Sequence, residues 1–592
     1  MINIINKLPK KKLSDLWISA SKLRNYALDD PLLDYLKLYN IKDINTKPKK
    51  YIKKKYNYKK TIFKSKSKNN YKNYILNQGI VFEENIYKIL KKKFKNNIVK
   101  ICNSYEARDT KFVINTIDEM KKGTYIIYQG VLFNPNNKTF GCPDLIVRSD
   151  ILNNIFDEKI IEDDESNIGA KNLNLTNYHY RIIDIKNSTL YLNSDNRTLR
   201  NTYNIKPYKC QINIYNQCIG YMQGYTPSEG YILGKSLVKE YYKKNTKYKD
   251  TYTSFQKLGI INYEDFDKHY NDICENGIKW YNKLLNNSSN WTLDPPSNHF
   301  LYPNMNNKYD YEFKNIKNQL ANNLGEITSI WNCGVSHREN AFNNNIYSWK
   351  DEECNSKILG INGKKGIFLD KMLTFQRDNK DIINLNNISD NSIFTNKLLL
   401  YVDFETINMN SINLIFMIGL GYNENNKWKY INYTCDKLDD INEKNIIDKF
   451  LNDINIICMK NNDFEPLIIH WSNAERNIFN TFNKKYHFTY KEPKWFDLMK
   501  YFMNNEIFIK DSYSFSLKNI GKHMNNHKLI KTNYKNNEIS NGLDAMFLSW
   551  QEYNKSKNKD IKRSKVIKDT IKYNEVDCKI MWDIVNYLNK TI

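Results

Sequence analysis

The chain has 592 residues, a hydrophobic content of 41% and a formal net charge of +25, with a pI near 9.2. This length is too great for one core and predicts a few domains, and 27 Phe with 10 Trp exclude a disordered chain. The positive charge favours a polyanionic partner, most simply nucleic acid, although a codon-usage bias towards Asn, Lys, Ile and Tyr accounts for part of the lysine excess.

Several function classes are excluded by what the sequence lacks. The ten cysteines are scattered with no CxxC pair, which predicts reduced thiols inside a cell. No run approaches the roughly 18 apolar residues of a membrane span, and residues 1–15 lack the apolar core of a signal peptide. The eight histidines show no zinc spacing, and no Walker-type glycine loop is evident. We therefore predict a soluble, intracellular protein without membrane contact, zinc or ATP.

Residues 1–75 are predicted to form a helical and basic N-terminal segment. Leu32, Leu33 and Leu36 follow helical spacing. Between Lys47 and Lys68, eleven lysines are interleaved with aromatic rings and no acid occurs. This basic stretch is either an arm that follows a phosphate backbone and stacks bases, or a solvated loop.

An α/β pattern follows. Helical spacing predicts a helix over residues 77–99 and another over 112–120. Alternating apolar residues and turn signals then predict two strands of a hairpin, an acidic insertion, a third strand, a helix and a closing strand. These elements are placed at Tyr125–Phe133, Thr139–Arg148, 150–178, Arg181–Ile183, a helix from Pro207, and Tyr231–Gly234.

Two of these strands carry acids where a core strand would not favour them. Asp144 opens the strand Leu145–Val147, and Asp184 and Lys186 end the next one. Side chains two apart on a strand point to the same face, so Asp184 and Lys186 can act on one point. Carboxylates from adjacent strands suit Mg²⁺ or Mn²⁺, and a lysine beside a metal can steer or deprotonate a water. The pattern predicts metal-assisted phosphodiester cleavage.

Four segments in this order resemble the RecB-like branch of the PD-(D/E)XK nuclease superfamily, over roughly residues 77–235. They are Gly79–Glu83, Gly141–Asp144, Asp184–Lys186 in the Asp-x-Lys form, and Gln211–Tyr215 in the Q-x-x-x-Y form. A helix-borne glutamate, two strand-borne acids and a lysine in this order are typical of that branch.

The resemblance implies a role for each matching residue. Glu83, Asp144 and Asp184 would hold one or two Mg²⁺ ions, and Lys186 would orient or activate the attacking water. Gln211 and Tyr215 would position the site or the substrate, or serve as packing residues. The cysteines are not clustered as iron–sulfur ligands, so no cluster is expected.

Residues 251–395 are predicted to be a mainly helical connector, with few strand signals. Within it, residues 325–351 resemble a helix–hairpin–helix arrangement that grips a DNA backbone through loop amides. The second glycine that such turns prefer is Asn345 here. A plain helical spacer is the other interpretation.

The pattern changes at Lys397. Residues 397–422 alternate as a β-hairpin, and strands and helices then follow one another to the end of the chain. Asp403 and Glu405 lie on one face of the first strand, where burying acids is costly unless a cation is present. A pair of metal ions about 4 Å apart is the usual reason for such acids in phosphoryl-transfer sites.

This Asp-x-Glu pair resembles the first motif of DEDD-type exonucleases, which have a ribonuclease H-like fold. Tyr573 and Asp577 match the Tyr-x-x-x-Asp motif, and Glu475 stands where the second motif usually has Asp. The resemblance implies metal ligation by Asp403, Glu405, Glu475 and Asp577, with Tyr573 holding the attacking water. Asp497 is a rival ligand to Glu475. Several flanking segments are similar to the YprB-type subset, which occurs fused to RecB-like nucleases.

The sequence thus predicts an α/β multidomain protein with a PD-(D/E)XK core, a helical connector and a ribonuclease H-like domain. The predicted segments are 1–75, 76–250, 251–395 and 396–592. The predicted activity is Mg²⁺- or Mn²⁺-dependent hydrolysis of nucleic acid, DNA favoured over RNA, in repair, recombination or replication processing. Two alternatives stay open: one live site beside a non-cutting, nucleic-acid-binding domain, or a non-catalytic scaffold. The sequence does not identify protein partners.

Overall fold

The structure is a computed structural model that describes residues 6–43, 70–202, 204–243, 246–378, 380–388, 394–395, 397–409, 412–425, 427–487, 489–534, 539, 541–556 and 560–591. The chain forms two compact units, Met1–Leu324 and Gly325–Ile592. The basic stretch Lys47–Lys68 lies outside the described residues. Every described helix is too short or too polar to cross a lipid bilayer.

The first unit combines helices with short and long strands. Its strands are β1 (Ile18–Ser19), β2 (Ile98–Lys100), β3 (Ile126–Tyr128), β4 (Leu132–Asn134), β5 (Thr139–Gly141), β6 (Leu145–Arg148), β7 (Tyr180–Tyr191), β8 (Glu229–Lys243), β9 (Thr246–Thr253) and β10 (Gly259–Asn262). Its helices are α1 (Arg24–Ala27), α2 (Leu32–Tyr39), α3 (Asn70–Phe94), α4 (Thr110–Lys122), α5 (Ser149–Leu152), α6 (Asp163–Ser166), α7 (Lys206–Gln223), α8 (His269–Asn287) and α9 (Lys314–Leu324).

The main sheet of this unit has the strand order β10-β8-β7-β6-β3-β2, with β9 paired to β8. Strands β7 and β8 are parallel and are connected through α7, as expected for a βαβ unit. Strand β6 runs antiparallel to β7, with Leu145 opposite Ile183. This register brings Asp144, at the start of β6, beside Asp184.

Four predicted strands of this unit are wrong in their extent. The predicted strands Arg181–Ile183 and Tyr231–Gly234 are parts of the longer β7 and β8, so Asp184 and Lys186 lie inside β7 and do not end it. The predicted strand Tyr125–Phe133 is broken into β3 and β4, because Gln129 adopts a left-handed φ of 53° that a strand cannot contain. The predicted strand Thr139–Arg148 is likewise two strands, β5 and β6, separated at Cys142–Asp144. Pro143 lacks the N–H that a ladder requires. Asp144 therefore lies at a strand junction rather than inside one hairpin.

The predicted connector 251–395 differs from the structure in two respects. Its first residues complete β9 and form β10, so they extend the main sheet instead of starting a helical segment. Residues 325–351 contain a 3₁₀ turn, Ile327–Ser329, and a single α-helix, Val335–Asn343. A pair of helices joined by a hairpin is therefore not formed within 325–351. The unit boundary at 324/325 divides the connector, whereas the four-part domain division remains a prediction.

A buried ion pair ties α9 to the N-terminal end of the first unit. Lys317 Nζ donates to Asp30 Oδ2 at 2.6 Å and to the carbonyl of Asn304 at 2.8 Å, and both charged side chains have no exposed surface. Burial raises the pKa of Asp30, and the Lys317 charge opposes that rise.

We expect Lys317→Met to lower the free energy of unfolding by about 3–5 kcal/mol, because it leaves the buried Asp30 carboxylate without its cation. Urea denaturation of the full chain, followed by tryptophan fluorescence, measures this loss. Lys279→Met removes a lysine whose partner, Glu275, is 65% exposed, and it is the matched control. We expect the control to change the free energy of unfolding by no more than about 0.5 kcal/mol. Equal effects of the two substitutions would contradict the prediction.

The described residues of the second unit form five strands in one sheet and helices around it. Its strands are β11 (Leu399–Met409), β12 (Ile412–Glu424), β13 (Lys427–Thr434), β14 (Leu467–His470) and β15 (Trp495–Asp497). Its helices are α10 (Val335–Asn343), α11 (Ser356–Leu359), α12 (Gly363–Arg377), α13 (Asp440–Asn461), α14 (Ala474–Lys485), α15 (Leu498–Asn504), α16 (Leu517–Asn526), α17 (Gly542–Lys555) and α18 (Lys565–Thr591).

The sheet order is β13-β12-β11-β14-β15, with β11 antiparallel to β12 and parallel to β14. The predicted hairpin at 397–422 is confirmed as β11 and β12. Strand β11 is central, and the apolar side chains of Leu400, Val402 and Phe404 pack in a buried cluster. The acids of β11 alternate with these apolar residues, so the apolar side chains share one face of the strand and the carboxylates lie on the other.

Candidate functional site

The first unit brings the four predicted acid and lysine residues together. Lys186 Nζ forms an ion pair with Asp184 Oδ2. Asp144 Oδ2 accepts a hydrogen bond of 2.6 Å from the backbone N–H of Ile185, the residue between Asp184 and Lys186. On α3, Glu83 Oε1 accepts hydrogen bonds of 2.8 Å from the hydroxyl of Tyr128 and from the side chain of Gln129.

The charges of this cluster act on one another. Burial raises the pKa of Asp144, and the charges of Asp184 and Glu83 raise it further. Burial lowers the pKa of Lys186, but the carboxylates of Asp184 and Asp144 outweigh that effect, so the pKa of Lys186 is raised overall. A raised lysine pKa means that Lys186 is a cation in this cluster at neutral pH.

The helix α7 carries the predicted Gln211 and Tyr215. Gln211 Nε2 donates to the Tyr215 hydroxyl at 2.7 Å, and this hydroxyl lies 3.5 Å from the carbonyl oxygen of Cys142. A side chain at Gly141 would collide with the Tyr215 ring, because its Cβ would lie 2.1 Å from a ring carbon. Gly141 therefore permits the close approach that sets Tyr215 beside the segment leading to Asp144.

The second unit contains a tight carboxylate cluster. Asp403 and Glu405 on β11 and Asp577 on α18 each offer an oxygen atom, and these oxygens all lie within 4.8 Å of one another. Glu405 and Asp577 are 7% and 6% exposed, and Asp403 is half-buried. Among the residues that the structure describes, this is the one group of three or more Asp, Glu, His or Cys side chains that meets this distance. We call it the carboxylate trio.

The trio fits a divalent cation. Burial raises the pKa of Asp403, and the charges of Asp577 and Glu405 raise it further. Burial likewise raises the pKa of Glu405 to about 8 and that of Asp577 to about 6. Three carboxylates at this separation repel one another, and hard oxygen donors are the ligands that Mg²⁺ and Mn²⁺ prefer.

Two tyrosines and a lysine surround Asp577. The hydroxyl of Tyr534 donates to Asp577 Oδ1, and Tyr573, four residues before Asp577 on α18, also hydrogen-bonds to its carboxylate. Lys518 Nζ lies 4.5 Å from the ring centroid of Tyr573 and 5.2 Å from that of Tyr534. The Lys518 charge lowers the pKa of all three trio carboxylates. A cation is thus held over two rings at the edge of the trio.

Asn574, on the same helix as Tyr573 and Asp577, orients Asp403. Its Nδ2 donates to Asp403 Oδ2 at 2.6 Å and to the Asp403 backbone carbonyl at 3.2 Å. Gly419, which is paired with Asp403 across the hairpin, makes room for this amide, because a Cβ there would lie 1.8 Å from Asn574 Oδ1. A glycine is therefore required opposite the first acid of the trio.

Glu475 and its rival Asp497 lie outside the trio. Glu475 Oε2 is 3.3 Å from His470 Nδ1, and its charge raises the pKa of Asp403, Glu405 and Asp577. Asp497 Oδ1 accepts hydrogen bonds of 3.0 Å from the backbone N–H groups of Ser472 and Lys500, as an N-cap of α15 does. Asp497 therefore has a structural role, and the metal role of Glu475 remains a prediction.

Sequence reasoning missed several polar partners of these sites. Tyr128 and Gln129 bind Glu83, and Tyr534, Asn574 and Lys518 surround the trio. Asn574 had a detectable signal, because it directly follows Tyr573 and lies on the same helix one turn before Asp577. Tyr534 is distant in sequence from every acid of the trio, so spacing gave no signal for it. Lys518 lies in Ser516–Lys518, one of the flanking segments that resemble the YprB-type subset, but that resemblance assigned it no role.

Comparison with known families finds a match within the second unit. A family model described as RNase_H superfamily matches residues 400–589. This range holds the five-stranded sheet and all three residues of the trio. The range 400–589 is an RNase H-like domain, and its family indicates nuclease-type hydrolysis of nucleic acid with divalent metals, usually Mg²⁺. A search of curated proteins finds no match to the chain.

Proposed function

We propose that the protein is a Mg²⁺- or Mn²⁺-dependent nuclease whose C-terminal RNase H-like domain cuts phosphodiester bonds at the carboxylate trio. The observation that carries this proposal is the trio itself: three acids from two elements, with oxygens within 4.8 Å, in the range that matches the RNase_H superfamily. An acidic cluster of this density in a half-buried site is costly without a cation.

The residues around the trio have distinct tasks in this proposal. Asp403, Glu405 and Asp577 hold the metal, which when bound polarises the phosphate and lowers the pKa of a water. Asn574 fixes the Asp403 carboxylate, and Tyr534 and Tyr573 fix that of Asp577. Glu475 adds negative charge at the edge of the trio and is proposed as a further ligand.

Lys518 is proposed to bind the substrate phosphate beside the trio. Its ammonium group is held over the Tyr573 and Tyr534 rings, next to the acids but outside the ligand set. We expect Lys518→Met to lower kcat/KM about 10- to 100-fold while the apparent affinity for the metal changes less. Steady-state kinetics over a Mg²⁺ titration separates the two effects. Lys522→Met, an exposed lysine on the same helix, is the control. A loss that excess Mg²⁺ fully restores would contradict the phosphate role.

The first unit is proposed as a second nuclease site of the RecB-like type. What supports it is the arrangement of four residues: Asp144 directly before β6, Asp184 and Lys186 inside β7, and Glu83 on α3, with Gln211 and Tyr215 of α7 bonded to each other beside them. Lys186 would orient or activate water, and Gln211 and Tyr215 would position the site. DNA is the proposed substrate, and repair, recombination or replication processing the proposed setting.

One observation favours a single-site nuclease as the alternative. In the described residues, the acids of the first unit do not form a three-carboxylate group within 4.8 Å, and Asp184 is already paired with Lys186. In this alternative the first unit binds nucleic acid without cutting it. The non-catalytic scaffold is disfavoured by the trio, because uncompensated buried acids destabilise a fold.

Cleavage of end-labelled DNA, single- and double-stranded, with an RNA control, tests the proposed function. We expect products in Mg²⁺ or Mn²⁺ and none in EDTA, because the trio needs a cation to act. Wild-type protein that cuts none of these substrates in either metal would overturn the nuclease proposal. Cutting that persists in EDTA would overturn its metal dependence.

A further inference from the structure

The hairpin formed by β8 and β9 extends beyond the sheet that holds the first-unit acids. Strand β7 ends at Tyr191, which is paired with Val238 of β8. From Lys239 to Lys243, β8 is paired with β9 and no longer with β7. Gly234 of β8 lies opposite Lys186. The nine residue steps from Gly234 to Lys243 span about 30 Å at roughly 3.3 Å per residue. The hairpin therefore projects away from the candidate site along one edge.

The composition of this hairpin differs from that of an ordinary sheet edge. Residues 235–253 contain six lysines and four tyrosines against two acids. From residue 239 to residue 253 there is no Leu, Ile, Val, Phe, Met or Trp. Protection against aggregation is a sufficient reason for lysines on an edge strand. It does not explain the four aromatic rings.

One face of the hairpin presents stacked rings under a cation. Tyr241 lies opposite Tyr248, with ring centroids 5.7 Å apart and planes inclined by 16°. Lys243 Nζ lies 5.4 Å and 6.0 Å from these two centroids. Tyr248 is 44% exposed, so the pair is open to solvent on one side. Stacked, partly exposed tyrosines beside a lysine offer a surface for a nucleobase and its phosphate.

The other face carries an exposed ring between lysines. Tyr242 is 70% exposed and lies opposite Lys247. Glu240, on the same face, is paired with Lys247 at 2.9 Å, Lys249 at 3.3 Å and Arg200 at 3.2 Å. Three cations around one carboxylate leave a positive surplus on this face. Because its side chain is so exposed, Tyr242 contributes little to the packing of the unit.

We propose that the β8–β9 hairpin is a binding ribbon for a single-stranded stretch of nucleic acid, with lysines on the phosphates and tyrosines on the bases. This inference rests on the proposed nuclease function and names the surface that guides the substrate to the first unit. A lipid surface is the less suitable partner, because residues 239–253 contain no aliphatic side chain that would enter a membrane.

Loss of hairpin charge tests the phosphate contacts. One triple variant removes three charges from the hairpin: Lys243→Gln, Lys247→Gln and Lys249→Gln. The matched control removes three charges from helix α8 and the residue before it: Lys268→Gln, Lys279→Gln and Lys283→Gln. Binding of a fluorescent oligothymidylate is measured by anisotropy in EDTA over a series of salt concentrations. We expect the hairpin variant to bind more weakly and to reduce the slope of log K against log salt by about 2. We expect the control to keep the wild-type slope.

Loss of one ring tests the base contacts. We expect Tyr242→Ser to weaken binding of the oligothymidylate about 5- to 100-fold and to leave the salt slope unchanged. Because Tyr242 is highly exposed, we expect the variant to stay folded, so that weaker binding reflects the loss of the ring. Circular dichroism of the variant checks that it is folded. An abasic oligonucleotide of the same length is the second probe. Wild type and Tyr242→Ser should bind the abasic strand equally.

The outcomes separate this inference from the proposed function. Hairpin variants that bind oligothymidylate as the α8 control does would overturn the ribbon, even if the wild-type protein cuts DNA. Hairpin-dependent binding by a protein that cuts nothing would support the ribbon as a nucleic-acid surface and overturn only the nuclease proposal. Lysine-dependent binding to anionic vesicles, with no binding to the oligonucleotide, would overturn the choice of partner.

Discussion

Asp403→Asn is expected to lower metal-dependent cleavage by the C-terminal domain on the order of 1,000-fold. The substitution keeps the shape of the side chain but removes the charge at the centre of the trio, where Asn574 already donates to the Asp403 carboxylate. In the proposed site, a bound metal would lose one of three carboxylate ligands, and the hydrogen bond from Asn574 would be weakened. Initial rates on end-labelled DNA in saturating Mg²⁺ measure the effect.

The matched control for this substitution is Asp497→Asn. Asp497 ends β15, which is separated from β11 by β14, and its Oδ1 caps α15 by accepting from the N–H of Lys500. Asparagine is also a good N-cap, so stability should be retained. We expect Asp497→Asn to cut at close to the wild-type rate. Loss of cleavage in this control, with activity retained in Asp403→Asn, would make Asp497 the ligand and contradict the trio.

Lys186→Met is the second large effect that we expect. If the first unit is a nuclease site, removing its lysine should reduce the products of that site about 100- to 10,000-fold. Lys186 is the cation of the cluster and is paired with Asp184, so the methionine also leaves the acids less compensated. The pattern of products, resolved on a sequencing gel, distinguishes the two units.

Lys88→Met controls for the loss of a charge in the same unit. Lys88 is exposed on α3, five residues after Glu83, so the helical repeat points the two side chains to different faces of the helix. We expect this control to leave all products unchanged. Two product sets, one lost with Lys186 and the other with Asp403, would establish two working sites. Unchanged products in Lys186→Met would leave the first unit as a binding domain.

The sequence was most informative where chemistry and periodicity coincided. Asp403 and Glu405 alternate with apolar residues in a strand pattern, and that alternation is enough to predict a buried strand with acids on one face. Tyr573 and Asp577 were identified through their resemblance to the Tyr-x-x-x-Asp motif, and the four-residue spacing of that motif places both on one face of a helix. The structure brings Asp577 together with Asp403 and Glu405, and Tyr573 hydrogen-bonds to Asp577.

Sequence was less informative where tertiary contacts decide the outcome. The break at Gln129 depends on a left-handed φ that a strand-like composition does not reveal. Lys518 and Tyr534 approach Asp577 through α16 and the segment after it, and no spacing relates them to the acids. The strand β9 was missed because it is rich in Lys, Thr and Tyr and has little apolar alternation. The strand β10 has only four residues, Gly259–Asn262, which are too few to show a period.

The most direct test of the central claim is the anomalous diffraction of Mn²⁺ in crystals of the full chain. Our account predicts an anomalous peak coordinated by oxygens of Asp403, Glu405 and Asp577, and its loss in Asp403→Asn. This measurement does not depend on the choice of substrate or on activity. Crystals soaked in Mn²⁺ that show no peak at the trio would contradict the account.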